Sequence, residues 1–379
     1  ASGQTLTVAE TGSQTFAGAI TNAGGLTKSG SGTLTLGGAN TYGGATTVAG
    51  GTLRIDGNAR LGNTTNTLTI SNAGVLEITA AGTLTNAITI GAGNGVLFNS
   101  STNGALVVAG SVVKDGTVFT SRAGSGSNVF TGVIAGTNAN SDFIVDGGTT
   151  VFSNQMTYNG PTIITNGGTL VLAVDDAMPS GSDLILGGGT FRVGVENYND
   201  NADPARTMGA LTLTEDSTID LGGFGTSGDR NLLFADSSGV AINWNTNAVL
   251  TITNWQGIAN QTSAVTKLLF GTGGLTTEQL GQIRFANQNI NGGQLLGDSG
   301  ELAPIPEAPV VWGAASLMAF VFWRERRRLR TSLAVLLLRG CHRTQRLPVK
   351  GLKFAPLQSD VLFGRHGKSQ SGTDMAPGD

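Results

Sequence analysis

Two adjacent carboxylates form the residue pattern in this chain that best fits acid–base catalysis. Asp175 and Asp176 lie in the segment LAVDDAMPSGS, and a pair of carboxyl side chains can share the acid and base roles in cleavage of a glycosidic bond. Adjacent Asp residues at a strand end are also typical of a turn. An internal copy of the segment has Gly57 and Asn58 at the equivalent positions, which favours the turn.

Other candidate sites are weaker. The segment ENYNDNADPAR (196–206) is rich in oxygen ligands that suit Ca²⁺, but it lacks the Gly and the closing Glu of an EF-hand loop, so a solvated loop is favoured. Glu215 and Asp216 indicate a turn. Trp244 and Trp255 could stack on sugar rings, although burial in a terminal cap is the favoured use. We therefore assign no catalytic, cofactor-binding or metal-binding residue.

The distribution of reactive and charged residues excludes several classes of site. The only Cys (Cys341) and both His residues (His342 and His366) lie near the C-terminus, so residues 1–323 can form no Ser-His-Asp triad, Cys nucleophile or Cys/His zinc site. Residues 1–323 contain ten Lys and Arg but 21 Asp and Glu, whereas residues 324–379 contain twelve and four. An acidic body argues against nucleic acid as a partner, and the lack of Cys suits an oxidising exterior.

The composition predicts many short strands joined by tight turns. Gly accounts for 59 of the 379 residues, and Gly and Asn supply the positive φ angles that turns need. Apolar residues alternate in the short runs between them, as in Leu34 and Leu36 or Ile88 and Ile90. This period of two places them on one face of a strand and places Thr on the other.

Three pairs of segments recur in the same order, 114 to 117 residues apart. SQTFAGAI (13–20) returns as SNVFTGVI (127–134), and NTLTISNAGVLEI (66–78) returns as SDLILGGGTFRV (182–193). The longest copy pairs residues 32–55 with residues 148–172. One long module therefore occurs twice, and we predict module 1 at 1–113 and module 2 at 114–209.

Each module also contains a shorter sequence repeat. Gly-Thr-Leu or Gly-Thr-Phe begins at residues 32, 51, 82, 168 and 189, and two of the neighbouring pairs, 32/51 and 168/189, are 19 and 21 residues apart. That distance suits one coil of a parallel β-solenoid in which a Gly or Asn corner precedes each strand. A sandwich or barrel of similar strands is the alternative. The Asn-Gly pairs typical of β-hairpins are nearly absent from these repeats, which favours coils over hairpins.

The segment GSGTLTLGGANTYGGATTVAGGTLRI resembles the autotransporter-associated β-strand repeat, also called the passenger-associated transport repeat. Its parts are Gly32–Leu36, the Asn40–Gly44 turn, the Thr-rich strand Ala45–Val48 and the strand Gly50–Ile55. In the second copy Met156 stands where Asn40 does. The resemblance implies a right-handed parallel β-helix in secreted or surface proteins, and it implies no catalytic residues.

The repeat becomes irregular between residues 210 and 303, and we predict that this β-rich region caps the solenoid. The segment LTTEQLGQIRF (275–285) is predicted to form a short helix near 276–283, with Thr276 as N-cap and Gln279 three residues later.

The segment PIPEAPVVWGAASLMAFVFWRERRRLR (304–330) has a Pro-rich spacer, then 16 uncharged residues (308–323), then an Arg cluster. A helix of that length is ~24 Å long, short of the ~30 Å core of a bilayer. The block resembles the PEP-CTERM sorting signal, which implies an exosortase-like processing enzyme. The predicted signal residues are Pro306, Glu307, Pro309, Arg324, Arg326, Arg327 and Arg328. The alternative is an ordinary single-span anchor.

These features predict an all-β, right-handed parallel β-helix followed by one short transmembrane helix and a basic tail (331–379), which is disordered or read-through. We expect an export signal upstream of Ala1. The predicted function is that of a non-catalytic, adhesin-like protein of the cell surface or extracellular matrix, with polysaccharide as a candidate partner. The alternative is a β-helix polysaccharide lyase or hydrolase that uses Asp175 and Asp176.

Overall fold

The computed structural model describes residues 3–195, 198–199, 207–223, 230–239, 244–259, 261–263, 265–271, 273–298 and 300–305. In these ranges the chain forms an all-β parallel solenoid of about nine turns. Equivalent strands of neighbouring coils pair in register, as Leu6 does with Leu26 and Leu26 with Thr46. Each of these coils therefore contains twenty residues, close to the repeat spacing of 19 and 21 residues in the sequence.

Three parallel sheets run along the described part of the solenoid. Sheet 1 contains β1 (Leu6–Ala9), β3 (Leu26–Ser29), β5 (Thr46–Val48), β7 (Leu68–Ile70), β10 (Ile88–Ile90), β13 (Val112–Val113), β16 (Ile134–Gly136) and β19 (Thr157–Tyr158). Sheet 2 contains β2 (Ser13–Phe16), β4 (Thr33–Leu36), β6 (Thr52–Ile55), β8 (Gly74–Ile78), β11 (Gly95–Asn99), β14 (Phe119–Ala123), β17 (Phe143–Asp146), β20 (Thr162–Thr165), β22 (Leu184–Gly187) and β25 (Leu211–Glu215). Sheet 3 contains β9 (Gly82–Leu84), β12 (Ala105–Val108), β15 (Ser127–Phe130), β18 (Thr149–Phe152), β21 (Thr169–Leu172), β23 (Thr190–Val193), β26 (Ser217–Asp220), β28 (Leu250–Thr253), β30 (Ile283–Phe285) and the antiparallel β31 (Ile290–Asn291).

The region after residue 210 departs from the simple coil. A fourth sheet joins β24 (Tyr198–Asn199), β27 (Arg230–Leu233), β29 (Thr266–Leu269), β33 (Glu301–Pro304) and β32 (Gly293–Leu296), the last two antiparallel. Helix α1 (Thr277–Gly281) begins at the predicted N-cap, and Thr276 and Gln279 bond reciprocally in a capping box. A single turn of 3₁₀ helix also occurs at Asn58–Arg60.

Alternation along each strand builds the core. Leu34, Leu36, Leu53 and Ile55 are almost fully buried, as the period of two predicts, and the residues between them face outward. β-branched Thr suits these outer positions because it favours extended backbone while its hydroxyl stays solvated. In a parallel stack each inward residue lies above its register partner, so the core is a set of continuous columns.

The two copies of the long module occupy different sheets. The strands β4 and β6 lie in sheet 2, whereas their copies β18 and β21 lie in sheet 3. The early coils use sheets 1 and 2, and the late coils use sheets 2 and 3. The unit that repeats is therefore a strand pair with its corner, and it can occupy either pair of sheets. All three sheets continue past residue 113, and the module boundaries remain predictions.

Aromatic rings fill the interior of the central coils. Phe119, Phe130, Phe143 and Phe152 are fully buried, with neighbouring ring centroids 5.2 to 6.4 Å apart and mostly edge to face. Tyr158 continues the stack at 5.9 Å from Phe143. Such pairs stabilise a core beyond the apolar area that they bury, so these rings add to the stability of the central coils.

Candidate interaction surface

The Asp175–Asp176 pair lies in a turn between β21 and β22, and its two side chains have different environments. Asp175 is exposed, whereas Asp176 is 4 % exposed and has a positive φ of 50°. Asp tolerates this left-handed backbone better than most residues. Two carboxylates that act on one bond must face a common cleft, and here one carboxylate faces solvent while the other is buried. The geometry is that of the turn favoured from the sequence.

The aromatic and acidic candidates of the C-terminal β region have structural roles. Trp244 is buried, and its indole N–H donates to the carbonyl of Leu211 at 2.9 Å. Trp255 is 1 % exposed and packs edge to face on Phe285. Neither ring offers a face to a sugar, so the predicted burial is confirmed. Glu215 ends β25, and Asp216 occupies the bend before β26 and accepts from the backbone N–H of Val249.

Two sets of predicted residues lie outside the described residues. The first is most of the candidate calcium loop at 196–206, of which only the short strand β24 is described. The second comprises the predicted sorting-signal residues, the apolar segment 308–323 and the basic tail. Among the described residues, no helix is long and apolar enough to cross a bilayer. Those residues also contain no cluster of three or more His, Cys, Asp or Glu side chains suited to a metal.

The Tyr of each repeat turn is an interior anchor. Tyr42 and Tyr158 are fully buried, and their hydroxyls pair with Thr46 and Thr162 at 2.5 and 2.6 Å. Burial raises the pKa of both phenols, so neither is an acid near neutral pH. The four-residue spacing joins the turn to the Thr-rich strand that follows it. This explains the Thr-Tyr turn of the repeat as a packing feature.

Two lysines stand at inward positions of sheet 1, which sequence reasoning missed. Lys28 aligns with Val8 and Val48 in one inward column. Its ammonium donates to the carbonyls of Ser29, Gly30 and Gly50, at 2.6, 2.9 and 3.3 Å. Burial lowers the pKa of Lys28, and the carboxylate of Glu10 partly offsets this effect. The signal was available, since alternation in Leu26-Thr27-Lys28 places the lysine inward.

Lys114 is the second buried lysine. Its amine donates to the carbonyl of Ser141 and lies 3.8 Å from the centroid of the Tyr158 ring. Burial lowers the pKa of Lys114 to about 7, against a smaller opposing effect of Asp142. Removal of an ammonium group from water disfavours its charged form.

Ion pairs on the outside join one coil to the next. Arg54 lies beside its register partner Glu77, with Nε 2.8 Å from the carboxylate, and Glu77 also accepts from the Ser100 hydroxyl at 2.8 Å. Arg122 pairs in the same way with Asp146. The arginines are nearly half exposed, so each pair contributes about 0.2–1 kcal/mol to stability.

The outer face of sheet 1 carries an uninterrupted threonine column; the sequence predicted outward threonines, and the structure adds their register. Five threonines are successive register partners in five coils: Thr7, Thr27, Thr47, Thr69 and Thr89. Neighbouring strands of a sheet are ~4.8 Å apart, so hydroxyls repeat at that interval along the solenoid. The signal was the recurrence of LTV, LTK, TTV, LTI and ITI about twenty residues apart.

The comparisons with known proteins bear on the repeat. The passenger-associated-transport-repeat matches residues 26–55 and 145–172. These ranges contain both buried Tyr–Thr pairs and the strands β3 to β6 and β18 to β21. No curated protein and no solved structure matches the chain. The described solenoid is thus similar to this repeat at two places, and the match assigns no chemistry to any side chain.

Proposed function

We propose that the chain is an exported, non-catalytic protein of the cell surface or extracellular matrix, structural and adhesin-like, whose solenoid supplies length and a repetitive outer surface. The observation that carries the proposal is the pair of passenger-associated transport repeats within a continuous parallel solenoid. Repeats of this kind suggest an exported, passenger-like protein. The proposal takes the helix as right-handed, the hand that parallel crossover connections adopt in nearly all cases.

The proposed partner is extracellular polysaccharide. The threonine column supports it, because these hydroxyls have no protein hydrogen-bond partner among the contacts of the described residues and are free to bond a ligand. One hydroxyl bond contributes little in water, but contacts repeated along a rigid scaffold act together. We expect Thr47→Lys and Thr69→Lys together to weaken retention on the polysaccharide matrix, and Thr169→Lys on sheet 3 to serve as a matched control.

A single assay tests the absence of catalysis. The intact protein is incubated with acidic polysaccharides, and new reducing or unsaturated ends are measured over time. We expect no product above the buffer control. Product that disappears in Asp175→Asn or Asp176→Asn, with the fold intact by circular dichroism, would instead establish a polysaccharide lyase or hydrolase.

The proposed function includes attachment of the chain to the membrane and its later release. Pro306, Glu307 and Pro309 would form the recognition site for an exosortase-like enzyme, and residues 308–323 would hold the chain in the membrane until cleavage. The Arg cluster that follows opposes translocation, because basic residues stay on the cytoplasmic side. Intact-mass analysis of protein from the cell surface should give a C-terminus near Glu307. A mass that includes residues 324–379 would leave a plain single-span anchor.

A further inference from the structure

Lys114 connects three successive coils of the solenoid from the inside. Its own coil contains β13, Ser141 lies in the next coil before β17, and Tyr158 lies in β19 of the coil after that. The register partner of Tyr158 in the intermediate coil is Gly136. A Cβ at Gly136 would lie 2.8 Å from the Ser141 side chain, so a larger residue would crowd the path of the lysine.

The surroundings of the amine suit a neutral group better than a charged one. The side chain is fully buried, and its contacts are one carbonyl oxygen and one aromatic face. Both can accept from an ammonium, but together they replace only part of its hydration. The Ser141 hydroxyl is already used, since it accepts from the backbone N–H of Gly116 at 3.0 Å.

The other titratable groups around Lys114 are the carboxyls of Asp115 and Asp142 and the phenol of Tyr158. The Asp142 carboxylate acts electrostatically on Lys114, and burial raises the pKa of Asp142 while the charge of Lys114 opposes this rise. Asp115 accepts from the backbone N–H of Asn138 and from the hydroxyl and backbone N–H of Thr137, and these hydrogen bonds lower its pKa. Burial raises the pKa of the Tyr158 phenol. Residues 1–323 contain no His, the side chain that ordinarily titrates between pH 5 and 8.

We propose that Lys114 is a pH-responsive internal stitch, which holds the central coils together when its amine is neutral and loosens them when acidification charges it. The device lies at the junction between the earlier coils and the second transport repeat at 145–172. An exported protein meets pH values that the cytoplasm does not, and this junction would then soften while the coils on either side stay folded. The proposal does not depend on the polysaccharide partner.

The direction in which stability changes with pH follows from proton linkage. The unfolded chain keeps Lys114 charged up to pH ~10.4, whereas the folded chain releases the proton at about pH 7. Between these values the unfolded state binds more protons, so stability rises with pH. Below pH 7 both states are charged, and the gain is absent. The folding equilibrium constant should therefore rise by up to about fiftyfold between pH 7 and pH 9.

Urea unfolding of the full chain at pH 6, 7, 8 and 9 tests the proposal in three proteins. The wild type should gain stability above pH 7, and Lys114→Met should lose this dependence. Lys28→Met, the matched change at the other buried lysine, should keep the part of the rise that Lys114 supplies. The α-amino group and both His residues are present in all three proteins, so their titration cancels in the comparison. A flat wild-type profile, or a rise that survives in Lys114→Met, would overturn the proposal.

A direct titration does not depend on whether a variant folds. The Lys114 Cε resonance, followed by ¹³C NMR in the wild type, should titrate near pH 7, well below the ~10.4 of a lysine in an unfolded chain. Amide exchange at 112–116, 134–141 and 157–162 should accelerate at pH 6 relative to pH 8.5, after correction for intrinsic exchange. A Lys114 midpoint above pH 10 would refute the idea whatever the stability data show.

Discussion

Single residues show that polar groups in this solenoid serve the stack before they serve a ligand. Tyr42 and Tyr158 use their hydroxyls on buried threonines. The asparagines of the corners bond backbone carbonyls, as Asn66 does to Tyr42 and Asn86 does to Asn66, both at 2.8 Å. A buried polar group without a partner costs about 1–3 kcal/mol. Much of the abundance of Asn and Thr therefore reflects the hydrogen bonds that the many turns of the solenoid require.

The Tyr158–Thr162 pair allows the repeat signature to be measured. Tyr158→Phe should lower the free energy of unfolding by about 1–2 kcal/mol, because it removes the hydroxyl and keeps the ring. The Thr162 hydroxyl would then keep only its hydrogen bond with the Ser182 hydroxyl, at 3.2 Å. Thr162→Val completes a double-mutant cycle in urea denaturation. A coupling energy near zero would mean that the Tyr is retained for ring packing alone.

At the scale of elements, glycine sets how closely coils stack at the corners. A Cβ added at Gly38 would lie 1.9 Å from the carbonyl oxygen of Gly18 in the coil below, and one at Gly110 would lie 1.9 Å from that of Asn86. No real Cβ tolerates such contacts, so the corner would have to move. Gly82 in β9 has no atom within 4 Å of an added Cβ.

This contrast gives a matched pair of variants. Gly38→Ala should destabilise the fold by roughly 3 kcal/mol, as expected for a buried steric conflict. Gly82→Ala should be neutral or slightly stabilising, because the unfolded chain loses freedom. Thermal and urea unfolding of the two proteins measures the difference. Equal losses in both would show that backbone entropy, and not close approach, explains the glycines.

The strands and coils were predictable because each obeys a simple periodicity. Alternation placed Leu34 and Leu53 inside, and the capping box at Thr276 marked the helix start. The sheet that each copy occupies was not predictable, since the same strand pair and corner fit sheets 1 and 2 or sheets 2 and 3. Lys114 was missed because residue type suggests an exposed lysine, while only the three-dimensional stack supplies Ser141 and Tyr158.

Over the described solenoid as a whole, packing is uneven along the stack. In the first coil, β1 and β2 are mostly exposed, with Leu6 and Phe16 44 % and 41 % exposed. The central coils enclose the Phe cluster. In a solenoid each coil contacts only its neighbours, so local stability is the sum of nearby interfaces. Opening the first coil exposes little new apolar surface, whereas opening the coils between Phe119 and Phe152 exposes several rings.

Native-state amide exchange should therefore show a gradient and not a single global value. We expect the least protection in β1 and β2 and the most between β14 and β18. Phe143→Ala, which removes the ring that contacts Phe119, Phe130, Phe152 and Tyr158, should cost about 3–5 kcal/mol and lower protection chiefly in the coils around it. Phe16→Ala, at the exposed first coil, should leave that central protection unchanged. Uniform protection along the chain, lowered everywhere by Phe143→Ala, would instead show that the coils unfold as one cooperative unit.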